Sequence, residues 1–541
     1  MKIFKDTFLL ILLIFYGCQA PQADHGEGKS VFRYNESSGI SSLDPAFARD
    51  QASIWAVHQL YGGLVEMNDA LEPMPSIAKS WEIKENGLLY VFHLRQDVYF
   101  HNDGAFAGGK GRKVVAEDFV YSFKRIMDPT IASPGSWVFN TVDPTKNFNA
   151  PNDSTLEIYL KNSFPPFLGI LSMQYCDVVP REALEKYGSD FRSHPVGSGP
   201  FIFKMWQEGV NLVFLKNPNY FEFENGSRLP HLDAILISFL GDKQSAFLEF
   251  IQGKLDFLSG IDASYKDELL TPDGKLKPKY AGKFKMDVKP YLNTEYLGIL
   301  SDAKLSQVEK SPLKIKEIRQ AINYGIDRKK MIEYLRNNIG IASEAGMVPP
   351  GLPSYDKEQV AGYTYSIKKA SALLSKAGYP SGKGLPEITL YTTSNYVDLC
   401  EFIQNQLGLL GIKIKLESNQ AAQHREMVAH SKLNFFRASW VADYPDAENY
   451  LALFYSKNFT PSGPNYTRFS NPTFDQLYEE SLKETDMQKR KKFYIEMDNI
   501  IMEEAPVVVL YYDQSVRLSQ NNITHLGNNG MNLLNLKRVI K

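Results

Sequence analysis

The stretch RASWVADYPDAENY, residues 437–450, contains the most informative pattern in the chain. It follows the apolar pair Phe435 and Phe436, which predicts a buried β-strand ending in a turn at residues 443–446, where Pro445 interrupts regular structure. Turns at the ends of buried strands often carry binding residues, because the rigid strand fixes where the turn begins. We therefore expect a functional site at the end of this strand.

Three side chains in this stretch suit a ligand with an ammonium group at one end and a carboxylate at the other. The Arg437 guanidinium can bind a carboxylate through two parallel donors, Asp443 can accept from an ammonium, and Trp440 offers a flat apolar surface between them. A structural interpretation also stays open at this point. In it, Arg437 and Asp443 form an ion pair with each other and Trp440 belongs to the core.

Helix and strand patterns alternate outward from this stretch, which favours compact α/β lobes. The apolar spacing predicts helices over residues 115–126, 366–377 and 399–410, and strands over residues 388–391 and 412–416. With 541 residues, of which 43% are hydrophobic, the chain is long enough for at least two domains.

The N-terminus carries the pattern of an export signal. Basic residues precede a short apolar run over residues 8–16, and Gly17-Cys18 follows at once. This arrangement resembles the bacterial lipoprotein signal, so we expect residues 1–17 to be removed, Cys18 to be lipidated, and residues 18–30 to form a flexible tether. The alternative is ordinary signal cleavage that discards the cysteine. The sequence thus predicts an exported bacterial lipoprotein held at a membrane by its lipid, in the periplasm or on the cell surface.

Composition and motifs argue against several classes of function. The net charge is −2 and basic residues are spread along the chain, so no nucleic-acid partner is expected. Cys176 and Cys400 are predicted to be buried side chains rather than a disulfide framework. His424 and His430 lie six positions apart, which does not place two metal ligands on one helix face, and no nucleophile-elbow motif occurs. We expect no metal, no cofactor and no catalysis.

Eight segments, taken in order, resemble the family 5 extracellular solute-binding proteins, which are the oligopeptide- and dipeptide-binding components of ABC importers. Any one segment is weak evidence, but the series runs from about residue 31 to about residue 520. The segments are LDPAFARDQ (43–51), FHLRQDVYFHNDG (92–104), VVAEDFVYSFKRIMDP (114–129), GSGPF (197–201), IRQAINYGIDRKKMI (318–332), KKASALLSKAGYPSGKGLPEITL (368–390), IQNQLGLLGIKIKL (403–416) and ADYPDAENY (442–450).

The resemblance implies an α/β, bilobal periplasmic-binding-protein-like fold of type II, in the large peptide-binding class. The ligand would lie between two lobes that close about a hinge. A subdomain would be inserted into the first lobe. The expected division is lobe I over residues 31–56, 190–284 and 509–541, the inserted subdomain over 57–189, and lobe II over 285–508.

The resemblance also implies roles for residues of this chain. Asp443 is expected to hold the α-ammonium of a peptide, Arg437 to lie near its carboxylate end, and Trp440 to lie beside its backbone. Tyr444, the neighbour of Asp443 in the same segment, belongs to the expected ligand set.

Residues of the opposite lobe complete that set. Arg49, Asp50 and Gln51 fall where the family's other lobe offers main-chain groups to an extended peptide, a form of strand addition. At Arg49 and Asp50 the alternative is a solvated pair of loop charges.

We expect a monomeric, lipid-anchored protein that captures peptides and delivers them to the permease subunits of an ABC importer. Two alternatives stay open. The same fold can bind another solute, such as a nickel chelate or an oligosaccharide, or a lipoprotein with this fold can act as a chaperone, adhesin or sensor.

Overall fold

The computed structural model describes residues 28–541. The predicted signal over residues 1–17, the predicted lipidation site Cys18 and most of the predicted tether lie outside the described residues. Among the described residues, no helix is both long enough and apolar enough to cross a membrane.

Strands and helices alternate along the described chain. The strands are β1 (Val31–Asn35), β2 (Val65–Met67), β3 (Pro73–Pro75), β4 (Ala78–Lys84), β5 (Leu89–Leu94), β6 (Phe148–Asn152), β7 (Thr155–Tyr159), β8 (Phe201–Gln207), β9 (Asn211–Lys216), β10 (Phe223–Glu224), β11 (Ser227–Arg228), β12 (Ala234–Ser238), β13 (Phe257–Ser259), β14 (Phe284–Ile299), β15 (Ile341–Ala342), β16 (Ile388–Thr393), β17 (Ile414–Asn419), β18 (Phe435–Val441) and β19 (Val507–Gln520). The α-helices are α1 (Gln51–Leu60), α2 (Ala116–Met127), α3 (Phe167–Leu171), α4 (Arg181–Tyr187), α5 (Lys243–Ile251), α6 (Ala263–Leu269), α7 (Ser306–Glu309), α8 (Lys316–Tyr324), α9 (Arg328–Arg336), α10 (Ile367–Lys376), α11 (Val397–Gly408), α12 (Ala421–Ala429), α13 (Glu448–Leu451), α14 (Pro472–Ser481) and α15 (Met487–Glu504).

A mixed sheet of eleven strands joins two halves of the molecule. Its strand order is β17-β16-β18-β14-β19-β13-β1-β12-β9-β8, and β15 pairs with β19 beside this row. The two longest strands, β14 with 16 residues and β19 with 14, lie in the middle. We call the side that contains β1, β8, β9, β12 and β13 the first half, and the side that contains β16, β17 and β18 the second half.

β14 and β19 pass between the halves as an antiparallel pair. In the first half, residues 284–290 pair with residues 514–520, and in the second half residues 294–298 pair with residues 507–512. The register shifts between Pro290 and Thr294. Because proline has no amide hydrogen to donate, the ladder is interrupted there. The chain therefore crosses twice between the halves at a place where strand pairing is irregular, and hinges bend at a few such residues.

A separate antiparallel sheet, β4-β5-β7-β6, lies within residues 78–159. Helix α2 covers it with an apolar face, and the Phe123 ring centroid lies 4.7 Å from that of Phe139 and 5.2 Å from that of Phe148. This segment falls inside the range predicted for an inserted subdomain. The predicted division of the chain into lobes stays a prediction.

The hydrophobic cores largely follow the two halves, and one residue that crosses between them matters for function. Tyr444 comes directly after β18 in the second half, yet it packs in the core of the first half. Its ring centroid lies 6.4 Å from that of Trp137 and 6.4 Å from that of Phe164. The loop after β18 thus bridges the cleft between the halves.

Candidate functional site

A cavity of about 310 Å³ lies between the two halves, beside the end of β18. This volume is at the lower end of the range of small-ligand sites. Both halves and the C-terminal segment contribute to its walls. The lining includes Arg49, Gln51, Trp55, His58, Trp137 and Tyr175 from the first half, Tyr291 and Asp443 from the crossing strand and the second half, and Met531 and Leu533 near the C-terminus.

Asp443 lies at the end of β18 and faces this cavity. Its side chain is exposed to the cavity but closely surrounded by both halves, and this removal from bulk water raises the pKa of its carboxyl group above its ordinary value. No cationic side chain within residues 28–541 forms an ion pair with it. A carboxylate without a counter-charge at a cavity wall is suited to accept a ligand's ammonium group.

Asn449 positions both Asp443 and Trp440, a role that the sequence reasoning missed. The Asn449 side-chain oxygen accepts from the Asp443 backbone N–H at 3.1 Å and from the Trp440 indole N–H at 2.8 Å. Asn449 is itself 5% exposed and lies in the short helix α13. The only available signal was its place in the segment ADYPDAENY.

Arg437 does not pair with Asp443, so the structural interpretation of these two residues as an ion pair is wrong. The Arg437 guanidinium forms a two-pronged ion pair with Glu295 on the neighbouring strand β14, and the Arg437 Nε lies 3.1 Å from Glu295 Oε2. Both side chains are largely buried, with 12% and 2% of their surfaces exposed. The guanidinium also stacks on the Tyr396 ring, 3.3 Å from its centroid.

The structure therefore separates Arg437 from the cavity that contains Asp443. Its charge is balanced by Glu295, which the sequence did not reveal because Glu295 lies 142 positions away in the chain. The predicted role of Arg437 near a ligand carboxylate stays a prediction.

Trp440 and Tyr444 also lie beside the cavity rather than on its wall. Trp440 is half-buried and packs against the core of the second half. Tyr444 is 5% exposed, and its hydroxyl donates to Glu448. It lines instead a second, mostly apolar cavity of about 510 Å³ between the halves. These positions suit residues that hold the loop in place, and their predicted ligand contacts stay predictions.

Two of the three residues predicted on the opposite lobe reach the cavity. Arg49 and Gln51 line it. Asp50 instead caps helix α1, where its carboxylate accepts from the Ser53 backbone N–H at 2.9 Å and from the Ser53 hydroxyl at 3.1 Å. Arg49 is therefore a cation that lines the same cavity as the carboxylate of Asp443.

The Glu448 carboxyl group, which contacts the loop after β18, makes the stability of the protein depend on pH. It is buried and accepts hydrogen bonds from the hydroxyls of Tyr444 and Tyr478. Burial raises its pKa from 4.5 to about 7. A carboxyl group whose pKa is raised in the folded state contributes stability that is fully present below its unfolded pKa and is lost as pH rises through the folded value.

We therefore expect Glu448→Gln to flatten the pH dependence of stability between pH 4.5 and about 7. The substitution should remove at most about 3 kcal/mol of the pH-dependent change in the free energy of unfolding, because each pKa unit corresponds to about 1.4 kcal/mol. Urea unfolding across this pH range measures the slope. Glu333→Gln, at an exposed position on α9, is the matched control. Parallel curves for wild type and Glu448→Gln would contradict the assignment.

Among the described residues, no group of three or more His, Cys, Asp or Glu side chains is arranged to hold a metal ion. Cys176 and Cys400 are both free and buried.

Comparison with known proteins identifies the family and the fold of the chain. A family model described as "Bacterial extracellular solute-binding proteins, family 5 Middle" matches residues 72–462. Heme-binding protein A of Haemophilus influenzae is 28% identical, with 88% of this chain and 86% of that protein covered. Glutathione-binding protein GsiB of Salmonella typhimurium is 26% identical, with 90% of each chain covered. The structure of the periplasmic binding protein DppA from Helicobacter pylori with the peptide STSA superposes with a TM-score of 0.75, at 25% identity, covering 95% of this chain and 98% of that one.

Proposed function

Because the chain belongs to the family 5 bacterial extracellular solute-binding proteins, we propose that it captures short peptides with a free α-ammonium group and delivers them to the permease subunits of an ABC importer. The observation that carries this proposal is Asp443, whose carboxylate faces the cavity between the halves without a cationic partner among the described residues. An α-ammonium supplies the missing charge. Arg49, which lines the same cavity from the first half, offers a cation to the ligand's carboxylate groups.

Binding and closure are coupled in this proposal. Asp443 belongs to the second half and Arg49 to the first, so a ligand contacts both groups only when the halves are close together. Such a ligand binds the closed form better than the open form and shifts the population toward it. The permease would then recognise the closed shape.

The charge of Asp443 also distinguishes between the candidate classes of ligand. A neutral oligosaccharide in the cavity would cover the Asp443 carboxylate without supplying a counter-charge, which is costly. Glutathione, which the relative GsiB is named for, carries a free ammonium group and belongs to the same chemical class as a short peptide. The structure of DppA in complex with the peptide STSA favours a peptide as the ligand of this chain. Lipid attachment at Cys18, a monomeric state and a periplasmic or cell-surface location form part of the same proposal.

The test compares free and N-acetylated alanine peptides of two to four residues by calorimetry and native mass spectrometry. Acetylation removes the ammonium charge and keeps the rest of the ligand. We expect it to weaken binding by at least about tenfold, or about 1.4 kcal/mol. C-terminally amidated peptides control for a general effect of blocking a terminus. Equal affinity for free and acetylated peptides would overturn the proposal.

A further inference from the structure

A third and much smaller cavity opens off the cavity that Asp443 lines, within the first half. It has a volume of about 30 Å³, and His58 and Ser172 line both cavities. By the volume that a single water needs, it has room for about two water molecules. Its walls are mostly polar and include Glu66, Asp177, Ser198 and Lys537.

Asp177 places a carboxyl group without a cationic partner at this cavity. Within residues 28–541, no side chain forms an ion pair with its carboxyl group, and burial alone raises its pKa well above the ordinary value. The nearby Lys537 ammonium does not supply the counter-charge, because it lies 2.7 Å from Glu66 and 2.7 Å from Glu222. A half-buried carboxyl group of this kind either takes up a proton or ionises against a cation that enters the cavity.

Ser198 and His58 add unused hydrogen-bonding capacity. Ser198 is 2% exposed, and its hydroxyl has no hydrogen-bond partner among the described residues. Burial and Lys537 lower the pKa of His58 to about 4, so its imidazole is neutral and keeps one nitrogen that can accept. A buried hydroxyl without a partner indicates a group that the cavity is shaped to receive.

The glycine pair Gly62-Gly63 leaves this space open. A Cβ atom at Gly63 would lie 3.3 Å from Asp177 Oδ1, and one at Gly62 would lie 3.8 Å from Ser198 Oγ. The contact at Gly63 is tighter than ordinary packing. The absence of side chains at both positions therefore keeps the polar groups facing a space rather than a neighbour.

We propose that this cavity binds the primary ammonium group of a lysine-type side chain of the bound peptide, with Asp177 as its counter-charge and Ser198 and His58 as hydrogen-bond acceptors. The inference rests on the proposed function and adds a side-chain preference to it. The small volume suits a primary ammonium better than a planar guanidinium. The shared lining residues let a side chain enter from the main cavity while the peptide's α-ammonium remains at Asp443.

The test measures the affinity of trialanine peptides in which lysine or its uncharged isostere norleucine replaces each alanine in turn. At one position, we expect the lysine peptide to bind at least about tenfold tighter than the norleucine peptide. Asp177→Asn, which has the shape of the protonated acid, should bring this ratio close to one. Asp153→Asn, at an exposed position of the same half, should keep it. A ratio near one at every position of the wild type, or an unchanged ratio in Asp177→Asn, overturns the assignment to a ligand side chain.

A free cation with an ammonium group could occupy the same site instead of a peptide side chain. Methylammonium tests this alternative. One outcome is that methylammonium raises the unfolding midpoint saturably in the wild type but not in Asp177→Asn, while lysine and norleucine peptides bind equally well. That result would support an ammonium site at Asp177 and would assign it to a free cation. If no alanine peptide binds, the proposed function fails separately, and the methylammonium shift alone decides this site. The absence of both effects overturns the inference.

Discussion

Replacing Asp443 by asparagine is expected to weaken the binding of free-amine peptides by about 2–5 kcal/mol, or about 30-fold to several thousand-fold. Asparagine keeps the shape and the hydrogen-bonding capacity of the side chain but removes its charge. In the closed complex the ligand's ammonium would then be buried without a counter-charge, which accounts for the size of the effect. Calorimetry with the wild type and the variant measures it.

The same variant should bind N-acetylated peptides about as weakly as the wild type does, since these ligands have no ammonium to lose. Asp153→Asn, an exposed acid of the first half, should leave both affinities unchanged. An equal loss for free and acetylated peptides in Asp443→Asn would show that the substitution disturbs the loop rather than an ammonium contact. That outcome would remove Asp443 as the anchor.

The largest loss of stability is expected for Glu295→Ala, at about 3–5 kcal/mol. This substitution leaves the Arg437 guanidinium largely buried beside Tyr396 without its carboxylate partner. Arginine cannot release its proton to relieve this cost. Arg437→Ala should cost less, because burial already raises the pKa of Glu295 and the remaining carboxyl group can take up a proton.

Urea unfolding of the two single variants and the double variant at pH 7 checks this order. The double variant should be more stable than Glu295→Ala alone, because no buried charge remains unpaired. Strictly additive losses, or a smaller loss for Glu295→Ala than for Arg437→Ala, would contradict the interpretation of the pair as a structural unit.

The sequence predicted the family and the fold class, and both are confirmed by the family match and by the solved structures that superpose on the chain. Membership of this family also confirms that the protein is a binding protein rather than an enzyme. The family and the bilobal fold came from the eight ordered segments, whereas regular patterns predicted α/β lobes and several individual elements. Helix α11 begins two residues before the predicted helix over 399–410, and β17 begins two residues after the predicted start at residue 412. Local periodicity fixes elements well and their ends less well.

The arrangement of the candidate site was only partly predictable, because much of it depends on contacts between distant segments. Asp443, Arg49 and Gln51 reach the cavity as expected for ligand-binding residues. The pairing of Arg437 with Glu295 and the insertion of Tyr444 beside Trp137 arise from the packing of strands and halves. No periodicity within one segment reports such contacts.

A crystal structure of the protein with trialanine bound would test the Asp443 contact most directly. We expect the peptide to lie between the two halves, with its ammonium nitrogen about 2.7–3.2 Å from a carboxylate oxygen of Asp443. A complex in which the peptide occupies the cavity but its ammonium lies beyond hydrogen-bonding distance of Asp443, or in which the peptide binds elsewhere, would contradict this expectation.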